Sequence, residues 1–178
     1  MTETLRLLTD HFETPIGRFA VVADEEGRLR ASGWTDGHAR MEKNLSPVGK
    51  REVSLTPVSN PGGLTDALRA YFEGDLKAID GLPVIGDGTE FQRSVWRALR
   101  EIACGETISY GELARRIGNP RAVRAVGLAN GANPIGVVVP CHRVIGANGS
   151  LTGFGGGIER KRWLLAHEGV PRTLALWK

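Results

Sequence analysis

This chain lacks the features that mark secreted, membrane-spanning and metal-binding proteins. It has only 2 cysteines and 4 histidines in 178 residues. Cys104 and Cys141 are far from the C-x-x-C spacing of a zinc site. No apolar run approaches the roughly eighteen residues of a membrane span, and the polar start at residues 1–4 is unlike a secretory signal. We therefore expect a cytoplasmic protein with reduced thiols, no metal and no cofactor.

Aspartate is missing from the second half of the chain, which leaves the charge unevenly distributed. Residues 1–88 carry 10 Lys and Arg against 14 Asp and Glu, whereas residues 89–178 carry 13 against 6 Glu. An arginine-rich half of this kind attracts a polyanion such as DNA. A solvated basic surface without a partner is the alternative that charge alone leaves open.

The first half has the pattern of short antiparallel strands followed by one helix. Residues 5–34 alternate apolar and polar positions and are interrupted by turn residues, which predicts strands joined by hairpins. A further strand is expected near 53–55. Residues 64–72 have helical spacing and are followed by Gly74, which predicts a helix.

Glycine and proline cluster between residues 81 and 88, and we place a domain boundary there. The sequence thus predicts an N-terminal α/β domain over 1–87 and a C-terminal domain over 88–171. Residues 172–178 are interpreted as a tail. The predicted fold class is α+β, with a mainly helical second domain.

Capping signals divide the second half into helices. Thr89-x-x-Gln92 and Ser109-x-x-Glu112 have the form of capping boxes. Asn119-Pro120 is expected to cap another helix running to about Asn130. A last helix is predicted from Ile158 to His167.

The two middle helices, joined by a tight Gly-Asn-Pro turn, have the layout of a helix-turn-helix. The second helix of the pair carries mostly small side chains. Small side chains allow a helix to approach a DNA groove closely, but they serve tight helix packing equally well. Its small residues are Ala122, Ala125, Gly127, Ala129 and Gly131.

One short segment concentrates the reactive residue types. Val137-Val138-Val139 is β-branched and ends at Pro140, which predicts a strand that delivers Cys141 and His142 into a loop. A thiol becomes a strong nucleophile as thiolate, with a base or positive field nearby. Cys-His adjacency alone is weak evidence, because most lone cysteines are inert core residues.

The surrounding motif makes the pattern specific. The run from Pro140 to Val144, preceded by Asn133-Pro134 and followed by Gly153-Phe154-Gly155-Gly156, strongly resembles the active-site motif of O6-alkylguanine-DNA alkyltransferases. The resemblance extends from about Phe91 to Val170. It implies a ribonuclease H-like N-terminal domain and a C-terminal domain that binds double-stranded DNA containing O6-alkylguanine. It also implies one-time transfer of the alkyl group to Cys141.

The resemblance also implies roles for residues at matching positions. Tyr110 would help to rotate the target nucleotide out of the helix and protonate the leaving base. His142 would relay the thiol proton through a water toward Glu168, which would orient the histidine. As a plain helix-end carboxylate, Glu168 would be mildly unfavourable against the helix dipole. Asn133 would tie the recognition helix to the cysteine loop, although an Asn-Pro turn is equally compatible.

Two further groups of residues follow from the same resemblance. Arg124 would occupy the base stack in place of the flipped nucleotide. Some family members have serine or tryptophan at the position of Gly155, so the tolerance for bulky adducts can differ here. The expected DNA contacts are Arg121, Arg124, Tyr110, Ala125, Ala129, Asn130 and Gly131, and the expected substrate pocket comprises Pro140, Val144, Gly153, Phe154, Gly155 and Gly156.

Two alternative functions belong to other classes. A binding module that marks alkylated DNA without repairing it is one, but such relatives carry tryptophan where Cys141 stands. A papain-like thiol hydrolase is the other, but those enzymes take their histidine from a distant stretch.

Arg143 is expected to tie its loop through backbone carbonyls, and Cys104 is expected to have no role in the chemistry. A monomer is expected, and cooperativity on DNA is left open.

Overall fold

The structure is a computed structural model that describes residues 3–37, 41, 45 and 52–171. The tail expected at 172–178 therefore lies outside the described residues. The chain divides into two compact units, of which the first runs to Asp87 and the second begins at Gly88. The first unit also takes in Pro134–Val138. The C-terminal domain expected from the sequence is thus interrupted by a short segment that belongs to the other unit.

A four-stranded sheet forms the first unit, with the strand order β3-β2-β1-β4. β1 pairs antiparallel with β2, and β2 with β3, as the hairpin pattern predicts. β4 pairs parallel with β1, so the sheet is mixed and not purely antiparallel. The long connection after β3 permits this, because parallel neighbours need a crossover of about a dozen residues or more. The strands are β1 (Leu5–Thr14), β2 (Gly17–Asp24), β3 (Leu29–Trp34) and β4 (Val53–Pro57).

Helix α1 (Leu64–Phe72) has the bounds that its spacing predicts, and Leu64, Leu68 and Tyr71 are fully buried. Phe72 lies edge-on to Phe19, with ring centroids 5.4 Å apart. Edge-to-face aromatic pairs add to the stabilisation that comes from apolar burial.

The segment Pro134–Val138 joins the first unit through Ser32 of β3. The Ser32 amide donates to the Pro134 carbonyl at 3.1 Å, and the Gly136 amide donates to the Ser32 carbonyl at 2.9 Å. The Ser32 hydroxyl also donates to the Gly136 carbonyl at 2.7 Å. These three bonds explain why the segment groups with the sheet, although it lies just before Cys141 in sequence.

Helices make up most of the second unit. Thr89 and Gln92 form the predicted capping box at the start of α2. Ser109 caps α3 by accepting from the Glu112 amide, whereas the Glu112 carboxylate pairs with Arg115 and Arg116. The elements are α2 (Glu90–Arg100), β5 (Ile108–Ser109), α3 (Tyr110–Arg116), α4 (Val123–Gly131), β6 (Val144–Ile145) and α5 (Ile158–His167).

The start of α4 differs from the prediction. Asn119 does not cap it: the Ala122 amide donates to the Asn119 carbonyl at 3.0 Å, and the helix begins only at Val123. Asn119-Pro120 therefore forms a separate turn between α3 and α4. Pro120 favours such a turn because its fixed φ suits the second position. Helix α5 has the predicted bounds.

Packing holds the helix pair against α2. The Trp96 indole N–H donates to the Ala129 carbonyl at 2.9 Å, in the interior of the unit. A side chain at Gly88 would lie 2.5 Å from the Trp96 ring, so this position needs glycine. Within the described part of the chain, no helix is long and apolar enough to cross a membrane.

Candidate active site

Cys141 opens a short 3-10 turn, Cys141–Arg143, and the strand predicted just before it is absent. Val137 instead has a φ of 75°, and the Val138 amide donates to the Gly136 carbonyl at 3.0 Å. A left-handed β-branched residue costs on the order of 1–3 kcal/mol, so the surrounding contacts must impose it. The prediction was wrong because a β-branched triplet favours a strand only where a neighbouring strand can pair with it.

The imidazole of His142 is completely buried and lies against the carboxylate of Glu168. His142 Nε2 is 2.8 Å from Glu168 Oε1. Because an ionised carboxylate only accepts, Nε2 carries the proton and Nδ1 is the free acceptor in a neutral ring. Nδ1 is buried and has no hydrogen-bond partner among the described residues. His142 is therefore oriented as a base.

Arg143 reaches the same carboxylate and was underestimated from the sequence. Its Nε donates to Glu168 Oε2 and its Nη2 to Oε1, both at 2.9 Å. Its Nη1 donates to the Ile102 carbonyl at 2.7 Å. The expected backbone contact is present, but the fork onto Glu168 is the stronger interaction.

Glu168 stays ionised in this cluster. Burial by itself would raise the pKa of Glu168, but the charge that His142 carries when protonated, the hydrogen bond from His142, and the hydrogen bonds and charge of Arg143 lower it well below its usual range. The carboxylate thus orients His142 and does not take a proton from it. Its place at the end of α5 is set by this cluster and not by the helix dipole.

Lys161 is a buried residue of the site region that the sequence pattern does not single out. It lies in α5 with 0% exposure. Its Nζ donates to the Val144 carbonyl at 2.6 Å and to the Thr152 carbonyl at 2.9 Å. A lysine among the apolar residues of a helix usually points outward. Lys161 lies three residues before Leu164, and this helical spacing was the signal that could have placed it on the buried face of α5.

The tyrosine of α3 meets the segment before the glycine-rich run. The Tyr110 hydroxyl donates to the Thr152 carbonyl at 3.3 Å, the carbonyl that also accepts from Lys161. Among the expected pocket residues Pro140 and Val144 are buried, Phe154 and Gly156 are half-buried, and Gly153 and Gly155 are exposed. The exposed backbone of the glycine run is accessible to a ligand.

Asn133 makes the contact that the resemblance implies within the second unit. Its side-chain Nδ2 donates to the Val139 carbonyl at 2.8 Å. The bond joins the end of the α4 region to the residue two positions before Cys141. Asn133 thereby restrains the approach to the cysteine.

Helix α4 presents only part of the expected DNA-binding set to solvent. Arg121, Arg124, Ala125 and Gly131 are exposed. Ala129 and Asn130 are 3% and 4% exposed and face the protein interior, so they do not lie on the accessible face. Residues three or four positions apart share one face of a helix, so the buried Val126, Ala129 and Asn130 form its inward side. The exposed face instead includes Val123 and Leu128, at 40% and 72% exposure.

Neither cysteine forms a disulfide within the described part of the chain, and Cys141 is buried whereas Cys104 is exposed. A buried thiol next to an oriented histidine, in the same unit as a helix pair with exposed arginines, is the arrangement of a protein that modifies DNA through a cysteine.

Protein-family models match both halves of the chain, and they agree with this class of protein. Residues 7–85 match the ribonuclease-like domain of 6-O-methylguanine DNA methyltransferase, and residues 90–170 match its DNA binding domain. The chain belongs to the 6-O-methylguanine DNA methyltransferase family.

Individual relatives cover nearly the whole chain. A methylated-DNA–protein-cysteine methyltransferase of Salmonella typhimurium is 55% identical over 169 residues, covering 93% of this chain and 97% of its own. The O6-methylguanine methyltransferase of Mycobacterium tuberculosis has a TM-score of 0.76 at 42% identity, covering 91% of this chain and 92% of its own. A structure of the M. tuberculosis protein in complex with DNA has a TM-score of 0.74 at 41% identity, covering 98% of this chain and 100% of its own.

Proposed function

We propose that this chain repairs alkylated DNA by direct reversal, moving the alkyl group from O6 of guanine to the Sγ of Cys141. The observation that carries the proposal is the buried His142–Glu168–Arg143 cluster beside Cys141, in a chain of this family. The substrate is double-stranded DNA containing O6-alkylguanine. The protein acts as a monomer in the cytoplasm, where thiols stay reduced.

The transfer is a displacement at carbon. The Sγ–carbon bond forms as the carbon–O6 bond breaks, and the electron pair of that bond remains on the guanine. Guanine leaves as the ordinary base once the purine accepts one proton. Tyr110 is the proposed donor of that proton, because its hydroxyl is an O–H donor and is held at the Thr152 carbonyl, directly before the glycine run.

His142 takes the proton of the Cys141 thiol. Nε2 is occupied by the carboxylate, so the proton goes to Nδ1, directly or through a water. The proton stays on the imidazole, because Glu168 is too weak a base in its ion-paired state to receive it. The family resemblance implies a proton relay from the thiol through His142 toward Glu168. In this proposal the relay ends at His142.

Access to O6 requires the target nucleotide to leave the base stack, at a cost of a few kcal/mol. Arg124, exposed on α4, is the proposed occupant of the gap. The exposed apolar side chains of Val123 and Leu128 suit the minor groove, where many DNA-bending proteins insert apolar residues. Arg121 is the proposed phosphate contact.

The product is a thioether on Cys141, which water does not hydrolyse. The only other cysteine, Cys104, is exposed elsewhere on the second unit and is not proposed to remove the alkyl group. Each molecule therefore acts once. A sustained yield above one alkyl group per molecule would contradict this.

Mass spectrometry tests the proposal. After incubation with a duplex containing O6-methylguanine, Cys141 should gain the mass of one methyl group, at one equivalent per protein. Cys141→Ser should gain nothing and should bind the duplex as before, while the matched control Cys104→Ser should be methylated in full. An unmethylated Cys141 in the native chain would overturn the proposal.

A further inference from the structure

The segment Pro134–Val138 belongs to the first unit, although the residues on either side of it belong to the second. Its anchor is Ser32 of β3, an edge strand of the four-stranded sheet. Ser32 pairs with Val21 of β2 on one side and forms a parallel bridge with Ile135 on the other. Three residues after this segment the chain reaches Cys141, so Ser32 holds the approach to the nucleophile.

Within the segment, the backbone forms a γ-turn at Val137. The Val138 amide donates to the Gly136 carbonyl at 3.0 Å, which is the hydrogen bond that defines such a turn. Val137, the central residue, has a φ of 75°. This form of the turn is rare and strained, and a β-branched side chain adds to the strain. The Val137 side chain is fully buried, so the surrounding structure has to impose the turn.

A second γ-turn follows at Pro140. The φ of −83° and ψ of 65° at this residue are those of the common inverse form. The Cys141 amide closes the turn by donating to the Val139 carbonyl at 2.8 Å. The two turns together set the direction in which the backbone enters the Cys141–Arg143 turn. Because this backbone carries Sγ, the conformation of both turns bears on the position of the nucleophile.

In each of the two turns, the carbonyl that closes the turn also accepts a hydrogen bond from a side chain. The Val139 carbonyl accepts from Asn133 Nδ2 at 2.8 Å, and the Gly136 carbonyl accepts from the Ser32 hydroxyl at 2.7 Å. A carbonyl oxygen has two lone pairs, so each of these oxygens accepts its full number of bonds. Asn133 and Ser32 therefore act at equivalent points of successive turns.

The Ser32 hydroxyl adds to what the backbone of Ser32 does. The Ser32 amide donates to the Pro134 carbonyl and the Gly136 amide donates to the Ser32 carbonyl, and neither bond depends on the serine side chain. The third bond, from the hydroxyl, goes to the Gly136 carbonyl itself. It fixes the orientation of the peptide group between Gly136 and Val137, and a rotation of this group would open the strained turn.

We propose that Ser32 is a positioning residue for alkyl transfer, whose hydroxyl keeps the strained turn at Val137 closed and so fixes the course of the chain into Cys141. The inference rests on the function proposed above. It gives the sheet of the first unit a part in the reaction, although the proposed catalytic residues lie in the second. Ser32 acts through the backbone of the segment and not on the reacting atoms.

An isosteric pair of variants isolates the hydroxyl. Ser32→Thr keeps the donor, whereas Ser32→Val puts a methyl group of similar size in its place, and both residue types are favoured in strands. Single-turnover transfer from a saturating duplex containing O6-methylguanine should be at least about fivefold slower in Ser32→Val than in Ser32→Thr. Ser32→Thr should stay within about twofold of the native rate. Affinity for an unmodified duplex should be the same in all three proteins.

A matched control removes a comparable bond elsewhere in the first unit. The buried Thr65 hydroxyl of α1 donates to Asp10 Oδ2 at 2.8 Å. Because a hydrogen bond to a carboxylate is stronger than one to a carbonyl, Thr65→Val should lower the urea midpoint of unfolding at least as much as Ser32→Val does. It should nevertheless leave the transfer rate within about twofold of the native one. Equal slowing in the two variants would reduce the role of Ser32 to stability and overturn the inference.

Gly136→Ala tests the same contact without changing Ser32, and it carries the test if Ser32→Val does not fold. A Cβ at Gly136 would lie 3.1 Å from the Ser32 carbonyl oxygen. That oxygen is held in place because β3 is paired with β2. The segment has to move instead, so transfer should again slow by at least about fivefold.

Alkylation of Cys141 by iodoacetamide gives a readout that needs no DNA. In a Cys104→Ser parent, where Cys141 is the only thiol, Ser32→Val and Gly136→Ala should each slow alkylation at pH 7 by about threefold or more, because the thiol is less well placed against His142. Unchanged alkylation and transfer in these variants would overturn this inference alone. Absence of methyl transfer in the native chain would instead overturn the proposed function.

Discussion

Two buried cations of the second unit differ in how their charge is balanced. Arg143 donates two hydrogen bonds to the carboxylate of Glu168 and a third to the Ile102 carbonyl. Lys161, among the described residues, donates hydrogen bonds only to the carbonyls of Val144 and Thr152. The arginine therefore belongs to a pair that is neutral as a whole, whereas the lysine places a net positive charge in the interior.

This difference indicates what each charge does. Removing one member of a balanced pair leaves its partner charged and buried, so Arg143 should be needed for stability. Removing an unbalanced charge takes away a desolvation cost, so the loss of Lys161 should lower stability less than the loss of Arg143. The variants below test the two halves of that contrast.

The largest effect is expected from Arg143→Met. It leaves the Glu168 carboxylate buried without its fork and should lower the free energy of unfolding by about 3–5 kcal/mol. Urea unfolding followed by circular dichroism measures this. Arg143→Met combined with Glu168→Gln should recover part of the loss, because the uncompensated charge is gone. A double variant that is no more stable than the single one would contradict the explanation.

The loss of folding stability at acid pH should depend on Glu168. Its pKa is well below the ordinary 4.5 in the folded chain, so the unfolded chain binds the proton first as the pH falls. The stabilisation is fully present above about pH 4.5 and is lost progressively below it. Unfolding free energies measured across this range should be flatter for Glu168→Gln. The exposed Glu25→Gln is the control and should follow the native curve.

At alkaline pH the stability should depend on Lys161, and it should again rise with pH, by a smaller amount than for Glu168. Its pKa is about 8 in the folded chain against 10.5 for an ordinary lysine, so the folded chain loses the proton first. Between these two values the unfolded chain binds more protons, and stability should rise with pH. Lys161→Met should lack this rise. An identical slope in both proteins would show that the ammonium is not desolvated.

The smallest effect is expected from Thr152→Ala. The bonds from Lys161 and Tyr110 go to the backbone carbonyl of Thr152, which alanine retains. The free energy of unfolding should change by no more than about 0.5 kcal/mol, and the transfer rate by no more than about twofold. Thermal unfolding and a single-turnover assay check this. A tenfold slower transfer would assign the effect to the Thr152 hydroxyl instead.

Local signals in the chain predicted most of the helices and strands. The capping box at Thr89 and Gln92 and the apolar spacing of α1 and α5 are satisfied within a few residues, so they can be recognised without tertiary information. The strand expected over Val137–Val139 was wrong because strand formation depends on a partner that the local sequence does not contain. The parallel position of β4 has the same cause.

The active-site motif likewise identified the reactive residues but not all of their tertiary contacts. Cys141, His142 and Glu168 were proposed from the motif, and the structure brings His142 and Glu168 to 2.8 Å. The fork of Arg143 could not be deduced, and only the spacing of Lys161 from Leu164 indicated its burial, because long cations in sequence are equally compatible with solvent. Ala129 and Asn130 were assigned to the DNA face, although the rotation of α4 turns them inward.

The sequence by itself determined the class of chemistry, because a nucleophile and its neighbours in a specific motif are encoded in a few adjacent residues. It also determined the charge asymmetry and most helix ends, since these depend on composition and on contacts within one turn. Only the tertiary structure decided which charges are buried and what balances them. The reason is physical: desolvation depends on every element packed around a group, and those elements come from distant parts of the chain.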